Sequence, residues 1–239
     1  MGEDRGVSRY VIVNADDFGQ SEGVNRGIAE AHEHGVVTSA SLLVRHPAAA
    51  EAAAYARDHP GLSAGLHLDF GEWGRPEGNW VELYSVPAST GEEIAREARA
   101  QLEAFRELVG ADPTHLDSHQ HAHQDEPLSS VAQELAAELG VPLRGFDDRV
   151  RYRGDFYGQH DGKPWRQGIQ TAALLRLLES LEDGVTEIGC HPGFAWDLRS
   201  MYRLERELEV NVLCDPRVRR RFEEGDLTLC SFRELGELG

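Results

Sequence analysis

Tyr10-Val11-Ile12-Val13-Asn14-Ala15-Asp16-Asp17-Phe18-Gly19 is the stretch that decides the fold. The apolar run Tyr10–Val13 has the length and composition of a strand, and a helical pattern begins near Ser21. Asp16 and Asp17 therefore stand where a strand ends and a helix begins. Adjacent carboxylates repel and neither is cheaply buried, so packing does not account for them. Three later stretches repeat the placement with histidine: Gly65-Leu66-His67-Leu68, His115-Leu116-Asp117-Ser118-His119-Gln120-His121-Ala122-His123, and Ile188-Gly189-Cys190-His191-Pro192-Gly193.

Working outward, the chain alternates apolar runs with amphipathic segments. Ser21 to Gly35 reads as a helix with Val24, Ile28 and Ala31 on one face. Val36 to Val44 reads as a strand, Pro47 to His59 as a helix and Leu62 to Leu68 as a strand. Glu92 to Val109 is helical, Thr114 to Asp117 a short strand, Pro127 to Leu139 a helix and Val141 to Arg144 a fifth strand. Ile169 to Leu181 is helical and Val185 to Cys190 a sixth strand. Ser200 to Glu209 reads as helix, Asn211 to Leu213 as a short seventh strand, Pro216 to Glu224 as helix and Leu227 to Ser231 as the last strand. Asp69–Gly91, Gly145–Gly168 and Phe194–Asp197 read as long aromatic loops, a type usually kept for function. There is no repeat and no linker, so 1–239 is expected to be one domain. Regular β–α alternation implies a parallel sheet, here a barrel that is incomplete or distorted.

In such a barrel the site lies at the C-terminal ends of the strands. Asp16, Asp17, His67, His119 and His191 all fall on that rim. His32, His34, His46 and His59 lie in or beside polar helical stretches and are expected at the surface. The positions 115, 117, 119, 121 and 123 are spaced by two, so an extended chain would put all five side chains on one face. One carboxylate with two imidazoles is an open donor set for a divalent ion. The second carboxylate of the Asp16-Asp17 pair is then placed to act as general base, and His191 to protonate a leaving group. Trp73, Trp80, Trp165 and Trp196 either stack on a ligand or close the loops onto the barrel.

Composition removes other classes. With 42 acids against 24 bases and a net charge of −18, nucleic acid and anionic membranes are poor partners. No apolar run approaches the ~20 residues of a membrane span, and Met1–Arg9 is too polar for a secretory leader. Three cysteines without a CxxC pair point to a reducing, cytoplasmic setting.

The Asn14–Gly19 stretch, Gly35–Ser41, Gly65-Leu66-His67, Pro113–His123 and Cys190-His191-Pro192 together resemble the YdjC-like carbohydrate deacetylases, chitooligosaccharide deacetylases among them. That family is similar in fold and logic to the NodB-like polysaccharide deacetylases. The resemblance implies a metal-dependent hydrolase that removes N-acetyl groups from an amino sugar or oligosaccharide. It implies Asp17, His67 and His119 as ligands of one divalent ion, usually magnesium, although the donor set suits zinc or cobalt better. It implies Asp16 as the base, with the roles of the two aspartates exchangeable, and His191 as the acid. Asp117 would orient an imidazole, Arg144 would orient the base or bind substrate, and His121 or His123 would line the groove with Trp80. The expected partner is an acetylated amino sugar, and oligomeric state is open, a homodimer included. The rival readings are a metal hydrolase of another amide or ester and a sugar-binding protein with an inactive site.

Overall fold

The computed structural model describes residues 9–75, 78–198 and 200–238. The polar start, Met1–Ser8, lies outside them. The strands are β1 (Arg9–Phe18), β2 (Ser39–Leu42), β3 (Ser63–Leu68), β4 (Gly71–Gly74), β5 (Val81–Ser85), β6 (Leu116–Ser118), β7 (Val150–Arg153), β8 (Gln159–His160), β9 (Lys163–Pro164), β10 (Gly184–Cys190) and β11 (Leu227–Leu229). The helices are α1 (Glu22–Glu33), α2 (Ala49–Asp58), α3 (Gly91–Val109), α4 (Leu128–Leu139), α5 (Thr171–Glu179), α6 (Leu204–Leu213) and α7 (Pro216–Glu223).

Among the described residues, seven strands form one parallel sheet in the order β6-β3-β2-β1-β10-β7. β11 pairs with the first residues of β1, and β2 takes over the same edge from Asn14 onward. Val11, Ile12, Val13 and Ala15 of β1 are at most 2% exposed, as a strand covered on both faces requires. The sheet is curled. Asp117 on the edge strand β6 and Glu187 on β10 are four strands apart, ~19 Å in a flat sheet. Yet Arg144 Nη2 lies 2.7 Å from the first and 2.6 Å from the second. The expected incomplete barrel is present as this open, curled sheet.

Local signals set the helix ends. Ser21 caps α1 through its side chain, and Thr90 with Glu93 forms a reciprocal capping box on α3. Gly110 ends α3 in the left-handed region. Gly27 of α1 lets the segment after His191 dock closely, since a Cβ there would meet Gly193 Cα at 2.4 Å.

Four expectations are corrected. Val141–Arg144 is not a strand: a single bridge joins Leu143 to Leu116, and the chain turns away at Gly145 with φ 76°. The sheet edge is instead made by β7, inside the stretch read as loop, where Val-Arg-Tyr-Arg lacks an apolar run. Asn211–Leu213 belongs to α6, because Val210, Val212 and Leu213 continue its buried side. The loop 69–91 holds the antiparallel hairpin β4–β5.

Candidate active site

Successive strand residues point to opposite faces, so Asp16 and Asp17 should not share a site. They do because β1 is irregular there. Its pairing with β2 slips between Ala15 and Phe18, and Asp17 takes φ 67°, a conformation aspartate tolerates better than most residues. Both carboxylates line one cavity and each is 2% exposed.

Each is held by its own arginine. Arg144 Nη1 and Nη2 donate to the two oxygens of Asp16 at 2.7 Å each. Asn14 Nδ2 adds a bond to Asp16 Oδ1 at 2.9 Å. Arg206 Nη2 donates to Asp17 Oδ2 at 2.5 Å. Burial is the largest single influence and works to raise both carboxyls, but Arg144 beside Asp16, and Arg206 with His119 and His67 around Asp17, together leave Asp16 below and Asp17 well below the usual range.

The imidazoles close around the free oxygen of Asp17. His119 Nδ1 lies 2.9 Å and His67 Nε2 3.5 Å from Asp17 Oδ1. His67 Nδ1 donates to Asp117 Oδ1 at 2.6 Å, which leaves its Nε2 for the site. Burial strongly opposes charge on His67, yet Asp117 with Asp17 and Asp16 together push the ring up to about 10. His119 is raised as well, by Asp17 and Glu72 acting together against burial. Behind them Ser41 Oγ donates to Asp117 Oδ2 at 2.7 Å and lies 3.1 Å from His115 Nε2. Ser41 thus bridges the Asp117 carboxylate and the buried His115 ring.

Ligand atoms of Asp17, His67 and His119 lie within 4.8 Å of one another, and all three residues are buried. His119 Nε2 has no hydrogen-bond partner among the described residues. A carboxylate, two imidazoles and an orphaned ring nitrogen fit a divalent ion, with Asp117 backing His67 as ligand histidines are commonly backed. Asp16, His67 and Asp117 form a second group of the same size. There both carboxylates are already bound to Arg144, at 2.7 Å each, and one nitrogen of His67 is bonded to Asp117 itself. The first group is the better cation site.

His191 sits across the cavity floor with Nε2 3.8 Å from Asp16 Oδ2. Its backbone N–H donates to Glu209 Oε2 at 2.5 Å and its carbonyl accepts from Arg206 Nη1 at 3.4 Å, so α6 grips it from both ends. Tyr157 and Tyr202 flank the ring at 5.3 and 5.5 Å between centroids. Burial pulls its basicity down to about 4.

The remaining expected residues divide. Gln120 and His121 have φ of 51° and 56°, so the cluster is a turn and the five side chains do not share a face. His121 lines the cavity, with Nε2 3.3 Å from Tyr152 Oη. His123 is fully buried behind it, bound through Nδ1 to Ser118 and through Nε2 to the Arg144 carbonyl. Trp73 and Trp80 line the cavity, whose volume is about 470 Å³. Trp196 instead stacks on Phe194, and Trp165 closes over Gly168. His46 is not a free surface residue: its Nε2 lies 3.1 Å from Asp69, which also accepts from Tyr84 Oη. That cluster anchors the β4–β5 hairpin, and Gln120 clamps it from the other side by bonding both the N–H and the carbonyl of Trp73.

Arg206, Glu209, Tyr202, Ser41 and Glu187 were missed by the sequence reading. Leu-Glu-Arg-Glu-Leu-Glu-Val looks like a solvated helix, although Glu205, Arg206 and Glu209 are all buried. The available signal was charge at the spacing of a buried face, which a hydrophobic pattern does not detect.

A carbohydrate deacetylase of Geobacillus stearothermophilus is 37% identical over 97% of this chain and 100% of its own length. A chitooligosaccharide deacetylase of Serratia marcescens is 33% identical over 96% of this chain and 100% of its length. The crystal structure of a protein from Enterococcus faecalis, described as a candidate for cellobiose-phosphate cleavage, superposes with a TM-score of 0.76 at 29% identity, covering 95% of this chain and 99% of that one. A family 4 carbohydrate esterase from Streptomyces lividans shares the fold at a TM-score of 0.55 and 17% identity, over 95% and 92% of the two chains. The family model described as YdjC-like protein matches residues 10–224, and with the relatives' coverage this places the chain in the YdjC-like family.

Proposed function

We propose that the protein hydrolyses the N-acetyl group of an amino sugar or short oligosaccharide such as a chitooligosaccharide. The observation that carries this is the pairing of an arginine-held carboxylate, Asp16, with His191 at 3.8 Å, beside the Asp17, His67 and His119 group, under a cavity with tryptophan walls. The relatives named as carbohydrate and chitooligosaccharide deacetylases support the reading.

Asp17, His67 and His119 would hold one divalent ion, magnesium by family likeness or zinc or cobalt by donor type. Bound there, it would supply Lewis acidity toward the acetyl carbonyl and the attacking water. Asp16, oriented by Arg144, takes a proton from that water at Oδ2. With its basicity near 4, His191 is neutral at neutral pH and has no proton to give at first. The proton gained by Asp16 passes to His191 Nε2 and from there to the departing sugar nitrogen, so acetate and a free amine result. Tyr157 and Tyr202 hold the ring over the bond being broken. Trp73 and Trp80 offer aromatic faces to the sugar. Three cysteines without a disulfide suit a cytoplasmic enzyme.

The test is acetate release from N-acetylated chitooligosaccharides by chelated protein and by protein supplied with magnesium, zinc or cobalt. Release that disappears with chelation and returns with metal is the expected result. Metal-loaded protein that frees no acetate from any N-acetylated sugar refutes the reading, and release from simple aryl esters or other amides alone would favour the rival hydrolase.

A further inference from the structure

The β4–β5 hairpin carries a carboxylate that the chemistry above leaves idle. Glu72 of β4 lines the cavity together with Trp73 and Trp80. The other acids lining it are matched: Asp16 by Arg144, Asp17 by Arg206, and Asp161 by Arg75 at 3.0 Å. Among the described residues Glu72 has no hydrogen-bond or ion-pair partner, and its carboxyl is raised by burial. Its backbone is firmly placed. Glu72 stands opposite Tyr84 in the hairpin, Tyr84 is tied to Asp69 at 2.9 Å, and the next residue, Trp73, is clamped by Gln120.

His119, His46 and Arg206 act on this half-buried carboxylate only from a distance, so its oxygens keep the capacity to bind a cationic ligand group directly. The reaction proposed above generates such a group, because a sugar amine freed of its acetyl is protonated near neutral pH. We propose that Glu72 is a specificity-determining residue that pairs with a free ammonium on the sugar, so that the cavity accepts amino-sugar oligomers carrying free as well as acetylated amines. The inference rests on the deacetylase reading for its substrate class. Trp73 and Trp80 then serve the ring faces, and Glu72 reads the nitrogen substituent. A fully acetylated oligomer has no cation to offer it.

Calorimetric titration at pH 7 of the metal-supplied full chain and of its Glu72→Gln form, both carrying Asp16→Asn so that the acetylated ligand is bound but not turned over, with chitobiose and with its free-amine counterpart, tests this. The substitution keeps shape and removes charge. The free-amine dimer should bind about tenfold more weakly to Glu72→Gln, as expected for loss of one charge-assisted hydrogen bond, and the acetylated dimer should change less than about twofold. Added salt should weaken only the free-amine dimer. Equal losses for both ligands would make Glu72 a hydroxyl contact and overturn the proposal, as would unchanged binding of both or a Glu72-bearing chain that does not bind the free-amine dimer. Acetate release measured on the metal-supplied chain with Asp16 intact separates the two readings. Charge-selective binding without acetate release would sink the deacetylase assignment alone, and acetate release without charge selectivity would sink the role of Glu72 alone.

Discussion

Arg144→Met should separate the stability of the site from its chemistry. The guanidinium is 1% exposed at its side chain and pairs with Asp16, Asp117 and Glu187, which are themselves at most 3% exposed. Removing one partner of a buried ion pair costs about 3–5 kcal/mol, because the other charge is left without compensation. Three carboxylates would be stranded here, but the loss need not triple. Burial already pushes Glu187 up to about 7 against the pull of Arg144, so Glu187 will take a proton readily. A loss of about 3–5 kcal/mol corresponds to a fall in Tm of roughly 6–20 °C for a chain of this size. The pH dependence gives the sharper check. Without Arg144, burial carries the folded-state pKa of Asp16 and Asp117 upward. A carboxyl whose folded pKa is raised favours the fold at low pH and loses that contribution as pH rises. The deficit should therefore be larger at pH 8 than at pH 5, and Glu187→Gln in the same background should recover part of it. Thermal and urea unfolding at both pH values measure this. A deficit below about 1 kcal/mol, or an equal one at pH 5 and pH 8, would refute the claim that Arg144 compensates these charges.

Other outcomes are expected. Asp16→Asn should bind a divalent ion as the wild type does and lose about 10²–10⁴ in kcat, with Asp17→Asn losing the ion; the opposite pattern in calorimetry would exchange the two roles. Because His67 is pushed up to about 10, an incoming ion must displace a proton, so metal affinity should rise from pH 6 to pH 8 with proton release, and a flat affinity would exclude His67 as ligand. His191→Ala should keep the metal and slow acetate release, most of all for poor leaving amines; an undiminished rate removes it from the proton path. Burial holds His115 down at about 3 from an ordinary 6.5. That difference is worth on the order of 5 kcal/mol, present above pH 6.5 and lost as pH falls toward 3. His115→Gln should therefore flatten the acid limb of the unfolding profile. Gly65→Ala would set a Cβ 2.4 Å from the same imidazole and should cost about 1–3 kcal/mol in urea unfolding.

Much of the scaffold was legible because its signals are local. Ser21, Gly110 and the apolar face of α3 each act over a few residues, and the helices they bound are present. Short parallel strands without an apolar run were not legible. β7 is held by β10 on one side and by Arg144 stacking on Tyr152, neither of which leaves a periodic trace. The spacing of two through residues 115–123 was real but misleading, because two left-handed residues turn the chain and send His119, His121 and His123 to different surroundings.

By itself the sequence determined a β–α alternation with acids and imidazoles at the ends of strands, since backbone periodicity is encoded residue by residue. Only the tertiary structure decided which atoms those groups present. Asp16 is bound by a residue 128 positions away and Asp17 by one 189 positions away. The irregularity in β1 turns both carboxylates into one cavity, and α6 brings a buried arginine and a buried glutamate to a site to which no local pattern connects them. Partial charges act through space, so the division of labour between Asp16 and Asp17 depends on neighbours that only the curl of the sheet assembles.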